Sequence, residues 1–208
     1  MNGNNSKEAM IKVADFFDSK KVGNIGPLGF RRSSDLKRLL SGIEELQTKK
    51  ILGSSSLNFL DMGCGDGRVN ILISYIAEKS IGIELDEWTM DEYPPIKEKL
   101  YKELNKLSLP LPPDNIHLFE GDSLDPGLHE QVFLSTGVTI ENIDLFYTYL
   151  TMHEEIAELI TQRAKPGALF MVYGLEKIMP RYNGLELLTP EEPLKGILAV
   201  YRKPPVRE

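Results

Sequence analysis

Residues 58–69 read NFLDMGCGDGRV, and this stretch decides the fold. A short apolar run ends in Asp61, and three glycines then alternate with other residues at Gly63, Gly65 and Gly67. Because glycine tolerates positive φ and leaves no Cβ between the main chain and a ligand, the pattern predicts a strand, a tight turn and a helix whose backbone a ligand can touch. The spacing D-x-G-x-G-x-G differs from the G-x-G-x-x-G of dinucleotide-binding turns.

Outward from this turn, apolar strands alternate with amphipathic helices. We expect strands over 57–61, 81–84, 116–119, 143–149 and 168–173, helices over 68–79, 96–107 and 153–164, and two antiparallel end strands over 185–188 and 197–201. The alternation predicts an α/β fold with a Rossmann-like, doubly wound, mostly parallel seven-stranded sheet and helices on both faces. In such sheets the ligand lies at the carboxyl ends of the strands.

The chain divides into two predicted parts. Residues 1–52 form a helical N-terminal extension, with one helix over 7–20, a glycine-rich loop over 23–29 and a second helix that runs from Asp35 towards Lys50. Residues 53–208 form the ligand-binding domain.

Composition limits the classes of partner and compartment. The net charge of −7 argues against a nucleic-acid partner. Cys64 is the only cysteine, so no intrachain disulfide is possible and a reducing, cytoplasmic setting is expected. No apolar run is long enough to span a bilayer, so no membrane partner is expected. No two histidines, nor a histidine with Cys64, have metal-ligand spacing, so no metal site is expected.

Acids, and not basic residues, follow the next two strands. Glu84 ends the second strand, where a carboxylate can accept hydrogen bonds from both hydroxyls of a ribose. Asp122 and Ser123 follow the third strand. A nucleoside triphosphate would need a Gly-Lys-Ser/Thr sequence after the glycines, which is lacking, so the acidic surroundings favour a cationic cofactor.

Residues 58–201 resemble the class I, seven-strand methyltransferases that use S-adenosylmethionine (SAM). The resemblance rests on the glycine motif, the two strand-end acids and the turn KPGALF at 165–170. It implies SAM as cofactor, S-adenosylhomocysteine as product, and direct in-line transfer of a methyl group to a nucleophile. The implied cofactor-binding residues are Asp61, Gly63, Cys64, Gly65, Gly67, Glu84, Leu85, Asp122, Ser123 and Tyr147.

The acceptor side is predicted from FYTYLT at 146–151. It lacks the Asn/Asp-Pro-Pro-Tyr/Phe pattern of enzymes that methylate base nitrogens, so DNA is not expected as a partner. The segment looks most like small prokaryotic protein-lysine methyltransferases, with Tyr147 and Tyr149 as aromatic walls and hydrogen-bond acceptors around the amine.

Two alternatives stay open. One is a small-molecule O- or N-methyltransferase in which His153 acts as general base. The other is a SAM-binding module without transfer activity. A nicotinamide dehydrogenase is disfavoured by the glycine spacing. The expected partner is therefore a methyl acceptor, either a protein or a small molecule.

Overall fold

The computed structural model describes residues 3–19, 25–26, 29–30, 33–53, 57–189 and 191–205. The helices are α1 Gly3–Asp18, α2 Leu36–Thr48, α3 Arg68–Ser74, α4 Glu87–Met90, α5 Tyr93–Lys106, α6 Pro126–Thr136 and α7 His153–Arg163, with a 3₁₀ helix over Ile140–Asn142. The strands are β1 Ile25–Gly26, β2 Gly29–Phe30, β3 Leu57–Met62, β4 Ala77–Glu84, β5 Ile116–Glu120, β6 Leu145–Tyr149, β7 Leu169–Tyr173, β8 Glu186–Leu187 and β9 Leu198–Arg202.

Seven of the strands form one sheet in the order β5-β4-β3-β6-β7-β9-β8. The pairs from β5 to β7 are parallel, and β9 runs antiparallel to both of its neighbours. The predicted fold class and the antiparallel end of the sheet are confirmed. The short strands β1 and β2 pair with each other where the sequence predicts only a loop.

The two faces of the sheet bury separate apolar cores. Alternation along β3 sends Phe59 into the core beneath α1, α2, α3 and α5, and Leu60 into the core beneath α6 and α7. Phe17 of α1 and Leu39 of α2 lie in the same core as Phe59. The N-terminal helices therefore pack on the sheet and share its core, while a domain boundary near residue 53 stays a prediction.

The start of α2 is capped by two acids. The side chain of Asp35 accepts the Arg38 N–H at 2.9 Å. The carboxylate of Asp18, at the end of α1, accepts the N–H groups of Leu36 and Lys37, both at 2.9 Å. Since the first N–H groups of a helix have no partner within it, these bonds fix α1 against α2.

Two predicted boundaries are wrong for identifiable reasons. Helix α3 ends at Ser74, not at 79, and β4 begins at Ala77. The Asn115 side-chain amide donates to the carbonyls of Ser74 and Ala77 at 3.0 and 2.9 Å, which ends the helix. Helix α5 begins at Tyr93, ahead of the predicted start at 96, because its two prolines occupy the first turn, where no helical N–H is needed. Across the described ranges, none of the helices is long and apolar enough to cross a membrane.

Candidate active site

The sheet order creates a crevice at one edge. From β3 the chain moves outward through β4 to β5, and from β6 it moves the other way to β7. Ligands of doubly wound sheets bind outside the carboxyl ends of the strands where this direction reverses. Here that place lies beyond the ends of β3 and β6.

The glycine turn after β3 is built from left-handed residues. Gly63, Gly65 and Gly67 have φ of +99°, +59° and +72°. The N–H groups of Gly63 and Cys64 both donate to the Ile83 carbonyl, at 2.8 and 2.9 Å, which ties the turn to β4. A Cβ on Gly63 would meet no atom within 4 Å, so open space lies over this part of the backbone.

Gly67 serves packing instead. A Cβ there would lie 2.7 Å from Cδ2 of Tyr93 and 3.1 Å from Cδ1 of Leu118. The glycine thus lets α3 begin directly beneath the first turn of α5. The alternating motif therefore combines one position open to a ligand with one position closed by side chains.

Glu84 joins the glycine turn to the loop after β4. Its Oε2 accepts the Gly65 N–H at 2.8 Å, and its Oε1 accepts the Asp86 N–H at 3.0 Å. Each carboxylate oxygen can accept a second hydrogen bond. Glu84 can therefore hold two hydroxyls of a ligand without releasing the loops that position it.

Asp61 is a buried carboxyl with unused hydrogen-bonding capacity. Its side chain is 1% exposed, and its Oδ1 has no hydrogen-bond partner among the described residues. Burial, followed by the nearby charges of Glu84 and Asp66, raises the pKa of Asp61 well above its usual range. Because Oδ1 is enclosed, this carboxyl acts on a ligand through its charge, and it favours a cation in the crevice.

The basic residue after the turn is already neutralised. Both Arg68 and Asp66 are buried, and the guanidinium of Arg68 forms a two-point ion pair with Asp66, with 2.7 Å between Nη2 and Oδ2. The guanidinium carbon also lies 5.2 Å from the centre of the Phe17 ring. Arg68 therefore offers no free positive charge to a ligand at the turn. With the carboxyl groups of Asp61 and Glu84 nearby, the site suits a cation better than a phosphate.

The loop after β5 is held by a buried histidine. His129, 5% exposed, lies with Nε2 2.8 Å from the Ser123 carbonyl, while Nη1 of Arg163 lies 3.1 Å from its Nδ1. Because arginine only donates, Nδ1 is the acceptor and Nε2 carries the proton that Ser123 accepts. Burial, with a smaller contribution from Arg163, lowers the pKa of His129 and favours this neutral form.

Tyr147 and Tyr149 both point to the face that carries the N-terminal helices. The hydroxyl of Tyr147 lies 2.5 Å from that of Ser34, and its ring is 1% exposed. The Tyr149 ring packs 5.1 Å from the Tyr173 ring, whose hydroxyl accepts the Asp35 N–H at 3.0 Å. The strand end is thus bonded to the start of α2, and burial raises the pKa of Tyr147.

The loop after β6 has an unusual backbone. Leu150 and Met152 have φ of +50° and +49°, a left-handed conformation that is rare outside glycine. The Thr148 hydroxyl lies 3.1 Å from the Met62 carbonyl and 3.0 Å from the Thr151 carbonyl, which holds the loop to the end of β3. Strained residues of this kind concentrate at functional sites.

The other predicted site residues lie in the loops and helices that follow these strands. Nδ1 of His153 lies 2.8 Å from the Tyr182 hydroxyl. Leu85 is 61% exposed. Asp122 is also exposed, and its side chain accepts the Leu124 N–H at 2.9 Å. Cys64 is buried, and burial raises the pKa of its thiol, so it is a poor nucleophile. Within the part of the chain that the structure describes, no group of three or more His, Cys, Asp or Glu could hold a metal ion.

Comparison with known proteins gives structural matches alone. No protein-family model matches the sequence, and no curated protein matches it at a significant level. The protein yhhF from Escherichia coli, which is named as a methyltransferase, superposes with a TM-score of 0.50 at 16% identity, over 88% of this chain and 90% of that chain. The chain has the class I methyltransferase fold.

Two further structures lie just below that similarity. An RNA methyltransferase from Salinibacter ruber, in complex with S-adenosylhomocysteine, has a TM-score of 0.49 at 17% identity, over 80% of this chain and 92% of that chain. A protein from Haemophilus influenzae that is named as a methylase has a TM-score of 0.47 at 20% identity, over 79% and 99%. At such identities function has to be argued from the site.

Within this methyltransferase fold, the structure brings the strand-end residues together and adds one that the sequence did not indicate. Asp61, the glycine turn and Glu84 form one connected group. Tyr147 contacts Ser34 beneath that group, and His153 lies after the loop of β6. The residue that the sequence analysis missed is His129, which is buried and holds Ser123; a histidine one turn after the N-cap Asp125 is the only local signal.

Proposed function

We propose that the protein is a methyltransferase that uses SAM. The observation that carries this proposal is the pair of carboxylates, Asp61 and Glu84, around a glycine turn that is open at Gly63. SAM supplies a methyl group on a positively charged sulfur, together with a ribose and an ammonium group. The cation suits the orphaned Asp61, and the two ribose hydroxyls suit the free lone pairs of Glu84.

The remaining proposed contacts follow from the neighbouring loops. Gly63, Cys64, Gly65 and Gly67 present the backbone of the turn to the ribose and the methionine portion. Leu85 packs against the adenine, Asp122 accepts from its amino group, and the backbone of Ser123 reaches a ring nitrogen. His129 acts as a positioning residue, because its hydrogen bond to the Ser123 carbonyl fixes that loop.

We further propose that the acceptor is the amine of a protein lysine. Such an amine has to lose a proton before its lone pair can attack, and it has to be held in line with the methyl group. Tyr149, at the end of β6, supplies an aromatic wall and a hydroxyl for this purpose. Glu154 and Glu155, in the first turn of α7, attract the ammonium form to the site.

One observation favours a second candidate function. The bond between Nδ1 of His153 and the Tyr182 hydroxyl orients the imidazole at the start of α7. An oriented imidazole can serve as general base towards a hydroxyl of a small molecule. If this candidate is right, His153→Ala abolishes transfer; under the lysine proposal this variant retains it.

The experiment uses methyl-labelled SAM, the pure protein and a cell extract separated into protein, nucleic-acid and small-molecule fractions. We expect label in discrete protein bands, and on lysine after hydrolysis. Label in the small-molecule fraction alone would replace the lysine proposal with the second candidate. Tight SAM binding without label in any fraction would indicate a binding module without transfer activity.

A further inference from the structure

Exposed apolar side chains occur along the edge of the molecule that carries the candidate site. We call the loops after β4, β6 and β7, together with α4 and the first turn of α7, the acceptor edge; it comprises residues 85–92, 150–155 and 174–182. Trp88, Met152 and Ile178 lie in these three loops and are 74%, 41% and 83% exposed. In a sheet with strands about 4.8 Å apart, the loops of β4 and β7 lie within roughly 15 Å of each other. Single exposed apolar residues are ordinary, but one in each loop around one crevice indicates a contact surface.

The backbone of the middle loop supports this interpretation. Met152 is held in a left-handed conformation, and so is Leu150 two residues earlier. Such a conformation is unfavourable for both residues, and it leaves the Met152 side chain at the surface. An exposed apolar residue in a strained loop adds nothing to the core, so it fits a role in contact with another molecule.

The charge of the acceptor edge indicates the sign of that molecule. Residues 85–92 contain four acids and no lysine or arginine. After β6 come Glu154 and Glu155, and after β7 comes Glu176, with Lys177 and Arg181 as the basic residues of these loops. Acidic side chains therefore outnumber basic ones in the loops that surround the exposed apolar residues.

Most of these acids are also available to a partner. Glu87, Asp91, Glu154, Glu155 and Glu176 form no ion pair with another described residue. They would repel the phosphates of a nucleic acid, which binds proteins largely through lysine and arginine. They would attract a basic segment and raise its rate of association.

We infer that the acceptor edge binds a cationic protein segment in which basic residues alternate with apolar ones around the lysine that is methylated. This inference rests on the proposed function and deepens it. The basic side chains of the segment face the free acids, and its apolar side chains cover Met152 and Ile178. A small-molecule acceptor would leave these two side chains uncovered, and an RNA would meet like charges.

The test uses three synthetic peptides of 15 residues with the same central lysine. In the first, arginine and leucine alternate around the lysine; in the second, glutamate replaces arginine; in the third, serine replaces leucine. An RNA transcript of mixed sequence is the fourth acceptor. We expect kcat/KM with labelled SAM to be at least tenfold higher for the first peptide than for the others, and to fall as salt is raised.

Variants then locate the surface. Ile178→Ser and Met152→Ser are expected to raise the KM of the first peptide at least fivefold, with SAM affinity unchanged. Leu134→Ser on α6 is the matched control, because Leu134 is 76% exposed but lies away from the acceptor edge. Glu176→Lys is expected to act like Ile178→Ser, with Glu130→Lys on α6 as its control.

The outcomes separate the two proposals. If SAM binds but the peptides take no label, or the RNA takes label better, or Ile178→Ser behaves like Leu134→Ser, this inference is overturned while the proposed cofactor stands. If SAM does not bind, the proposed function fails and this inference fails with it. A preference for the first peptide that Ile178→Ser weakens and Leu134→Ser does not is the supporting result.

Discussion

Asp61 is a residue whose burial opposes the stability of the ligand-free protein. It is fully enclosed at the end of β3, its Oδ1 has no described partner, and Glu84 and Asp66 add like charge nearby. Its pKa in the folded protein is therefore raised above the unfolded value of about 3.9. A cationic ligand would remove this conflict, so binding and stability are coupled at one carboxyl.

Replacing Asp61 with asparagine is expected to raise the Tm of the ligand-free protein at neutral pH. The raised pKa means that the protonated form favours folding, and that this contribution is lost as the pH rises through the folded pKa. Asparagine stays neutral throughout, so the gain should disappear below about pH 4, where aspartate is protonated in both states. Thermal unfolding from pH 3.5 to pH 8 measures this; a gain of about 1 kcal/mol would appear as roughly 2–4 °C. An Asp61→Asn protein that is less stable at every pH would contradict the assignment.

The affinity for SAM is expected to rise with pH through the ligand-free pKa of Asp61. A cation favours the ionised carboxylate, so binding should release a proton in that range. Asp61→Asn should bind SAM more weakly and lose this pH dependence. Calorimetric titrations in buffers of different ionisation enthalpy count the released protons; identical pH profiles for both proteins would refute the role.

Glu84→Gln should weaken SAM binding by about 1–3 kcal/mol, the loss expected for charge-assisted hydrogen bonds. The matched control is Glu78→Gln, which changes an exposed acid near the other end of β4. Unchanged affinity in Glu84→Gln, or an equal loss in both variants, would mean that the ribose does not bind at the end of β4.

Two glycines with similar backbone conformations, Gly67 and Gly137, separate the cost of a packing clash from the cost of the conformation itself. Gly67 and Gly137 have similar φ, +72° and +75°, but a Cβ on Gly67 would lie 2.7 Å from the Tyr93 ring, whereas one on Gly137 would meet nothing within 4 Å. The loss in the free energy of unfolding for Gly137→Ala therefore measures the cost of the left-handed backbone alone, which is about 1–2 kcal/mol. Gly67→Ala should lose clearly more in the free energy of unfolding. Equal losses in denaturant titrations would mean that α5 does not press on the turn.

The elements that could be predicted from sequence are those set by local patterns. The glycine spacing places strand, turn and helix within residues 58–69, and apolar runs place the parallel strands. The end of α3 could not be predicted in this way, because it depends on Asn115, 41 residues from Ser74. The side of the sheet to which Tyr147 points could not be predicted either, because its partner Ser34 lies 113 residues away.

Across the whole molecule, the N-terminal helices are bonded to the strand ends that carry the site. Tyr147 bonds to Ser34 and Tyr173 bonds to Asp35, so two neighbouring strands hold the start of α2. Asp18 completes the connection by capping α2 from the end of α1. The N-terminal helices therefore support the strand ends at which the crevice lies.

Ser34→Ala and Tyr147→Phe should each destabilise the protein by about 1–3 kcal/mol, because each removes one hydroxyl of the pair and leaves the other buried without a partner. The double variant should lose less than the sum of the two, since both remove the same hydrogen bond. Additive losses in unfolding titrations would contradict that bond. Measuring kcat alongside tests the acceptor role that the sequence predicts for Tyr147, because only Tyr147→Phe would then reduce turnover.

The central claim is that two carboxylates around an open glycine turn bind SAM. Isothermal titration of the purified protein with SAM, and separately with NADH, at neutral pH tests it most directly. We predict that one SAM binds per chain, and that NADH does not bind. Binding of NADH without binding of SAM would contradict the account.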